Sequence, residues 1–101
     1  MHIEKKQRQL IEFIHTNVCG PMQTMSIGGA RYFLIFVDDR SRYTWIYFIR
    51  RKSDVFEYFK ELKNMIEKQT SKCIKILRSD QGGEYKVGAF TSYCKDNGII
   101  Q

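Results

Sequence analysis

Two polar residues of this sequence stand at the ends of predicted strands, where their side chains could contact a divalent cation. Asn17 lies near the end of the first predicted strand, and Asp80 follows the strand after a long predicted helix. If these two strands are neighbours, both side chains lie at one edge of a sheet. Oxygen ligands there suit Mg²⁺ or Mn²⁺, and paired ions activate a water or a 3′-hydroxyl for attack on a phosphodiester. Asp80 also fits an ordinary turn, because Ser-Asp-Gln-Gly-Gly is rich in turn-forming residues.

The sequence is basic, with a net charge of +6, which favours an anionic partner and most commonly nucleic acid. No acidic residue interrupts the stretch from Arg40 to Lys52, and further cations bracket Asp80. Phosphate contacts are one reading of these cations, and a solvated strand end is the other. The candidate DNA contacts are Arg40, Arg42, Arg50, Arg51, Lys52, Arg78 and Lys86.

Aromatic residues alternate with the first of these basic groups. Tyr43, Trp45 and Tyr47 stack on bases if they face nucleic acid, and they belong to the core if they face inward. The pattern by itself leaves both alternatives open.

The cysteines and histidines indicate no metal centre. Cys19, Cys73 and Cys94 are odd in number and form no C-x-x-C pair, so we expect small buried thiols in a reducing compartment. His15 reads as a strand residue at the margin of the site rather than as a ligand. No apolar run reaches the ~18 residues that span a bilayer, and the polar N-terminus is not a secretory signal. We therefore expect an intracellular protein with no membrane partner and no small-molecule substrate.

The hydrophobic pattern predicts the elements that must position these residues. Strands are expected over residues 10–18, 31–37, 43–49 and 73–78, with helices from an N-cap at Ser53 to about 69 and over 87–97, and a strand beginning at 99–100. Residues 31–37 form a nearly unbroken apolar run, which is typical of a strand that is buried on both faces. Residues 1–9 are predicted to be a basic polar lead-in to one domain over 10–101.

These elements predict an α/β fold with a mixed sheet. The short connection after residue 37 makes the second and third strands antiparallel, and the long helix is a crossover to a parallel strand. One face of each helix is expected to be buried. The residues on those faces are Val55, Phe59, Leu62 and Ile66 in the first helix and Phe90 and Cys94 in the second.

Four motifs of this sequence resemble the integrase catalytic core of copia-type retrotransposons. They are residues 15–22 (HTNVCGPM), 32–33 with 37–45 (YF, VDDRSRYTW), 77–85 (LRSDQGGEY) and 94–99 (CKDNGI). The resemblance extends over nearly the whole chain from residue 5 onward, with the motifs in order. It implies a ribonuclease H-like fold and metal-dependent DNA cutting and strand transfer.

The resemblance also implies which residues hold the metal ions. The family uses two Asp and one Glu; its second Asp falls on Asp80, its first falls on Asn17, and its Glu lies beyond residue 101. A neutral amide cannot offset a second divalent charge. We therefore expect a partial catalytic core that lacks its C-terminal part, binds Mg²⁺ or Mn²⁺ weakly or not at all, and is inactive.

DNA is the partner that the resemblance implies, and the nucleus is where the intact integrase would act. An uncovered edge of the predicted sheet could also pair copies of the chain into a homo-oligomer. The alternative to an integrase core is a non-catalytic nucleic-acid-binding module, or a domesticated or relic fragment, that retains only its basic surface.

Overall fold

A computed structural model describes residues 13–22, 29–70, 72–79 and 85–101. Its elements, in chain order, are β1 (Phe13–Cys19), β2 (Tyr32–Asp38), β3 (Thr44–Ile49), α1 (Val55–Thr70), β4 (Ile76–Ser79) and α2 (Gly88–Asp96). Residues 1–12 and 80–84, which include the predicted lead-in and Asp80, lie outside the described ranges.

The four strands form one mixed sheet in the order β3-β2-β1-β4. β1 pairs antiparallel with β2, and β2 pairs antiparallel with β3. β4, reached through α1, runs parallel to β1. Ile100 then makes an isolated parallel bridge to Ile76, at the position where the sequence predicts that a strand begins. The predicted α/β class, the mixed sheet and the crossover are therefore confirmed.

One face of the sheet packs against both described helices, and we call it the core face. Phe36 of β2 lies 6.1 Å from Phe59 of α1, and Phe59 stacks on Phe90 of α2 at 5.3 Å between ring centroids. Burial of each such side chain contributes about 1.5–3 kcal/mol. The predicted helix faces are confirmed, because all of their residues are buried: Val55, Phe59, Leu62, Ile66, Phe90 and Cys94. Burial also raises the pKa of the Cys94 thiol to about 11.

The opposite face, which we call the outer face, has no described helix on it. Leu34 and Phe36 of β2 are fully buried, whereas Ile35 and Val37, which point the other way, are only half-buried. The prediction of a strand buried on both faces is therefore wrong within the described ranges. Apolar residues occupy both faces of β2, which led to the prediction of burial on both sides. The described helices, however, cover only one face of the sheet.

Several predicted boundaries are also corrected. α1 begins at Val55 rather than after a cap at Ser53, because Ser53 lies inside a short 3-10 turn over Lys52–Asp54. β4 begins at Ile76 rather than at 73, since the pairing with β1 begins at Ile76. The three cysteines are free thiols, yet only Cys94 is buried and Cys73 is exposed. The expectation of buried thiols is therefore wrong for Cys73, which precedes the strand.

Candidate functional site

Asn17 lies on the outer face of β1, with an exposed side chain. The parallel register of β1 and β4 aligns Thr16 with Ser79, so the two strands that carry the predicted ligand positions are neighbours. Asp80 follows Ser79 in the chain but lies outside the described residues. Positions 17 and 80 are predicted to share one sheet edge if their strands are neighbours. The strands β1 and β4 are neighbours, so this condition is met.

A groove of about 370 Å³ surrounds Asn17 on the outer face. His15 and Asn17 both contribute to it because alternate residues of a strand point to the same side. The groove is lined by His15, Thr16, Asn17, Ile35, Val37, Arg78 and Ser79. Its walls therefore combine apolar side chains of β2 with hydrogen-bonding groups of β1 and β4.

His15 is held in a fixed position at this groove by two neighbours. Its Nε2 atom lies 2.8 Å from Oδ1 of Asp39, and its ring stacks on Phe13 with centroids 4.7 Å apart. The backbone N–H of Asp39 donates to the carbonyl of Phe13 at 3.0 Å, so the carboxylate is itself anchored to β1. Arg78 is the register partner of His15 on β4, and its guanidinium lies 5.7 Å from the Phe13 ring centroid.

A buried hydroxyl pair lies on the core face and includes Thr16, which precedes Asn17 in β1. Oγ1 of Thr16 and the hydroxyl of Tyr85 are 2.9 Å apart, and both residues are buried. The carbonyl of Tyr85 accepts a hydrogen bond from Nε2 of Gln101 at 2.9 Å. Thr16 therefore pairs with Ser79 in the strand register and contacts the hydroxyl of Tyr85 through its side chain. Ser79 and Tyr85 are the described residues on either side of 80–84.

The structure divides the basic stretch 40–52 into two groups at opposite ends of β3. Arg40 and Arg42 lie in the turn before β3, and Arg50, Arg51 and Lys52 lie after it. β3 spans six residues, or about 20 Å. The group after β3 lies at the sheet edge toward which β1 and β4 run, as the registers show. Of the remaining predicted contacts, Arg78 lines the groove and Lys86 is exposed.

The three aromatic residues Tyr43, Trp45 and Tyr47 also differ in burial. Tyr43 is 62% exposed, whereas Trp45 and Tyr47 are half-buried and pack against the core. Burial, with a smaller contribution from the charge of Glu61, raises the pKa of Tyr47. The core reading therefore holds for Trp45 and Tyr47 and fails for Tyr43.

The donor set in the described ranges does not fit a divalent metal centre. No group of three or more His, Cys, Asp or Glu side chains lies close enough together there to hold an ion. Asn17 offers a neutral amide oxygen, and the imidazole of His15 is already bonded to Asp39. The described residues thus provide a groove without the acidic ligands that Mg²⁺ prefers.

Comparison with known proteins decides the family. The family model of the integrase core domain matches residues 9–101. The chain belongs to the integrase core domain family. Its mixed sheet agrees with a ribonuclease H-like integrase core, and integrase cores in general depend on divalent metal ions.

The relatives of this integrase core are retrotransposon polyproteins. It is 39% identical over 95 residues to a retrovirus-related Pol polyprotein from transposon TNT 1-94 of Nicotiana tabacum, which covers 94% of this chain and 7% of that polyprotein. A retrovirus-related Pol polyprotein from transposon RE2 of Arabidopsis thaliana is 37% identical over 89 residues, 88% of this chain and 6% of the relative. The transposon Ty1-DR4 Gag-Pol polyprotein of Saccharomyces cerevisiae is 24% identical over 90 residues, 87% of this chain and 6% of its own. The chain thus spans less than a tenth of the relatives it matches.

Sequence reasoning missed two features of this integrase core, the His15–Asp39 pair and the Thr16–Tyr85 pair. Strand alternation is enough to place His15 on the face of Asn17. The partners, however, come from 24 and 69 residues away in the chain, which no local pattern indicates.

In the described ranges, neither helix is long and apolar enough to cross a membrane.

Proposed function

We propose that this chain binds DNA as the core of a retrotransposon integrase, whose family activity is metal-dependent DNA cutting and strand transfer. We propose further that Asn17 leaves the chain without catalytic activity of its own. The observation that carries this proposal is the neutral side chain of Asn17 in the groove between β1, β2 and β4. The nucleus is the proposed site of action, and association of copies through the edge of β3 is the proposed oligomeric contact.

Electrostatics supports the loss of metal binding. A pair of divalent ions brings four positive charges into one site, and carboxylates are the side chains that offset them. An amide oxygen at position 17 can coordinate a metal ion, but it carries no negative charge to offset the charge of that ion. Asp80 remains as one acidic residue of the family pattern, so we expect weak or absent binding of Mg²⁺ and Mn²⁺.

The distribution of cations supports DNA as the partner. Arg78 lines the groove itself, and Arg50, Arg51 and Lys52 lie at the sheet edge toward which β1 runs. Arginine suits phosphate because its planar guanidinium donates two parallel hydrogen bonds. A DNA backbone that enters the groove from that edge therefore meets several cations before it reaches Asn17.

Calorimetric titration with Mn²⁺ tests the metal half of the proposal. We expect little heat with the wild-type chain, and clear binding after Asn17→Asp, because the second carboxylate restores an acidic pair. Asp80→Ala in the Asn17→Asp background should abolish that binding. Asn64→Asp is the matched control, since it adds the same charge at an exposed position of α1.

Two results would contradict the proposal. Mg²⁺-dependent nicking of plasmid DNA by the wild-type chain, abolished by Asp80→Ala, would show that the chain is active despite Asn17. Equal Mn²⁺ binding by the Asn17→Asp and Asn64→Asp chains would show that position 17 belongs to no metal site.

The second candidate is a non-catalytic nucleic-acid-binding module. One observation favours it: Arg40 and Arg42 lie at the far end of β3 from the sheet edge that carries Arg50, so basic charge is not confined to the groove. DNA binding that is unchanged by Asn17→Asp and Asp80→Ala, in Mn²⁺ and without it, would favour this candidate.

A further inference from the structure

We infer that the turn between β2 and β3 is a second contact for DNA, and that it binds an unpaired strand. The ring of Tyr43 stacks on an unpaired base there, and the guanidinium groups of Arg40 and Arg42 contact phosphates of the same strand. The inference rests on the proposed function for its choice of DNA as the partner. It adds a contact outside the groove, because none of these three residues lines the groove.

The turn presents its charged and aromatic side chains to solvent. Residues 40–43 are four consecutive exposed positions. The two acids of the turn are already bonded elsewhere, Asp38 to Ser41 and Asp39 to His15. In the described ranges no carboxylate forms an ion pair with either arginine of the turn. Both guanidinium groups are therefore available to an anion.

Arg42 has a backbone conformation that arginine rarely adopts. Its φ angle is 66°, the one positive φ of a non-glycine residue in the described ranges. Hairpin loops usually place Gly or Asn at such a position, because a Cβ atom is crowded in the left-handed region. The N–H of Arg42 donates to the carbonyl of Asp38 at 2.8 Å, and its carbonyl accepts from Oγ1 of Thr44 at 3.2 Å. Backbone strain at an exposed residue that adds nothing to the core is typical of ligand-binding segments.

Tyr43 is held at the turn as a fixed aromatic surface. Its ring lies 4.9 Å from the ring of Trp45 in an edge-to-face arrangement, and Trp45 packs against the hydrophobic core. Its backbone N–H donates to Oγ of Ser41 at 3.2 Å, and its carbonyl accepts from the N–H of Asp38 at 2.9 Å. A tyrosine that is fixed in this way loses little side-chain entropy when a flat ligand stacks on it.

A stacking ring beside two guanidinium groups selects an unpaired nucleic-acid strand. Every base has a flat π face, but in a duplex the neighbouring base pairs cover that face. In an unpaired strand the face is open to an aromatic side chain, and such stacking needs no particular sequence. Guanidinium groups donate paired hydrogen bonds to phosphate. An acidic peptide offers carboxylates without a ring for Tyr43, so single-stranded DNA is the occupant that uses all three side chains.

The intrinsic fluorescence of Trp45 tests this inference without a label. Trp45 is the single tryptophan of the sequence, and its ring contacts that of Tyr43. We expect a short single-stranded oligonucleotide to change its emission, because a base stacks on the neighbouring ring. The blunt duplex of the same sequence should leave the emission unchanged, since duplex binding is assigned to the groove and to the cations after β3. EDTA in the buffer prevents any metal-dependent reaction.

Fluorescence anisotropy with the same two DNAs, now labelled, tests the role of Tyr43. Tyr43→Ala should weaken binding of the single strand about five- to a hundred-fold, as the loss of one base–aromatic stack allows. Tyr43→Phe keeps the ring and should bind like the wild-type chain. Phe48→Ala is the matched control, because it removes an aromatic side chain that is 53% exposed on the same hairpin. It should leave binding of the single strand unchanged.

The variant Arg42→Gly separates binding from folding. Glycine adopts a positive φ without a steric cost, so the melting temperature should stay close to that of the wild-type chain. Affinity for the single strand should fall about ten-fold, because one charge-assisted hydrogen bond to phosphate is lost. An unchanged affinity for the single strand would overturn the role of Arg42.

The outcomes distinguish this inference from the proposed function. Equal binding of both DNAs by the wild-type chain, with the Trp45 emission unchanged by either, overturns the inference and leaves DNA binding intact. Binding of neither DNA overturns both. Binding of the single strand alone, lost in Tyr43→Ala, supports the inference and contradicts DNA contact at the groove. Equal losses in Tyr43→Ala and Phe48→Ala overturn the assignment to the turn.

Two competitors test the choice of DNA as the occupant. A polyglutamate peptide that displaces the labelled strand as effectively as the unlabelled strand does would show that the turn binds acidic chains in general. An RNA strand of the same sequence that binds more tightly than the DNA strand would show that RNA is the preferred occupant. Either result overturns the assignment to DNA, whereas weaker competition by both supports it.

Discussion

Two side chains of this integrase core, at positions 17 and 38, show how one polar group sets the local chemistry. Asn17 carries a neutral amide where an aspartate would carry a carboxylate, so the wall of the groove has no negative charge at this position. Asp38, one residue before the partner of His15, is a buried carboxylate of a different kind. Its Oδ2 accepts hydrogen bonds from the backbone N–H of Ser41 at 3.1 Å and from the Ser41 hydroxyl at 2.6 Å. These bonds close the turn that carries Asp39.

The hydroxyl of Ser41 should therefore stabilise the turn between β2 and β3. Ser41→Ala leaves a buried carboxylate oxygen with one hydrogen bond fewer, and we expect a loss of about 1–3 kcal/mol in the free energy of unfolding. Urea denaturation measures it. Ser92→Ala, at an exposed position of α2, is the control and should change stability by no more than ~0.5 kcal/mol. An equal effect of both substitutions would mean that the hydrogen bond from the Ser41 hydroxyl to Asp38 adds nothing to stability.

Elements that are distant in the chain meet through the hydroxyl pair of Thr16 and Tyr85. Thr16 belongs to β1, and Tyr85 lies just before α2 with its ring 5.8 Å from that of Phe90. Apolar packing holds α2 on the sheet, but it does not specify where the chain enters the helix. The hydrogen bond at 2.9 Å supplies that specificity beside the strand that carries Asn17.

A double-mutant cycle should reveal this link between β1 and α2. Thr16→Val and Tyr85→Phe each remove one hydroxyl and keep the shape of the side chain, and both partners are buried. We expect a coupling energy of about 0.5–1.5 kcal/mol in urea denaturation, because either single variant leaves the other hydroxyl without this partner. The cycle cancels other contacts of Tyr85. Additive effects of the two substitutions would contradict the link.

The whole molecule combines a net charge of +6 with cations at both ends of β3. Of these two groups, the one at the sheet edge toward which β1 and β4 run is Arg50, Arg51 and Lys52. The Arg51 guanidinium lies 3.9 Å from the carboxylate of the partly buried Asp54, and because Arg51 itself is exposed the pair contributes little to stability. A polyanion can therefore replace Asp54 as the partner of Arg51 at little cost to the fold.

The salt dependence of DNA binding should distinguish the two basic groups. Replacement of Arg50, Arg51 and Lys52 by alanine should lower the slope of log Kobs against log salt by about 2–3, because each neutralised phosphate accounts for ~0.9 of that slope. Replacement of Arg40 and Arg42, at the far end, should lower it by less than about 1. Anisotropy at several salt concentrations measures both slopes. A larger effect of Arg40 and Arg42 would place the DNA at the opposite end of the sheet.

The sequence by itself determined the elements, the class and the family of this protein. Periodic apolar residues located α1 and its buried face, because a helix repeats its contacts every 3.6 residues. The unbroken length of α1 required a crossover, which made β4 parallel to an earlier strand. Family motifs at 15–22 and 77–85 indicated the integrase core and singled out Asn17 as an altered position.

The tertiary structure decided what lies around Asn17 and how each face of the sheet is covered. Local pattern could not predict that only one face of β2 is deeply buried, since apolar residues occupy both of its faces. It could not pair His15 with Asp39 or Thr16 with Tyr85, because these contacts depend on strand register and on the path of the chain into α2. Along the sequence the basic residues of 40–52 form one stretch, whereas in the structure β3 separates them into two groups about 20 Å apart. Pattern along a chain reports which way a side chain points, and only the assembled fold decides what it meets.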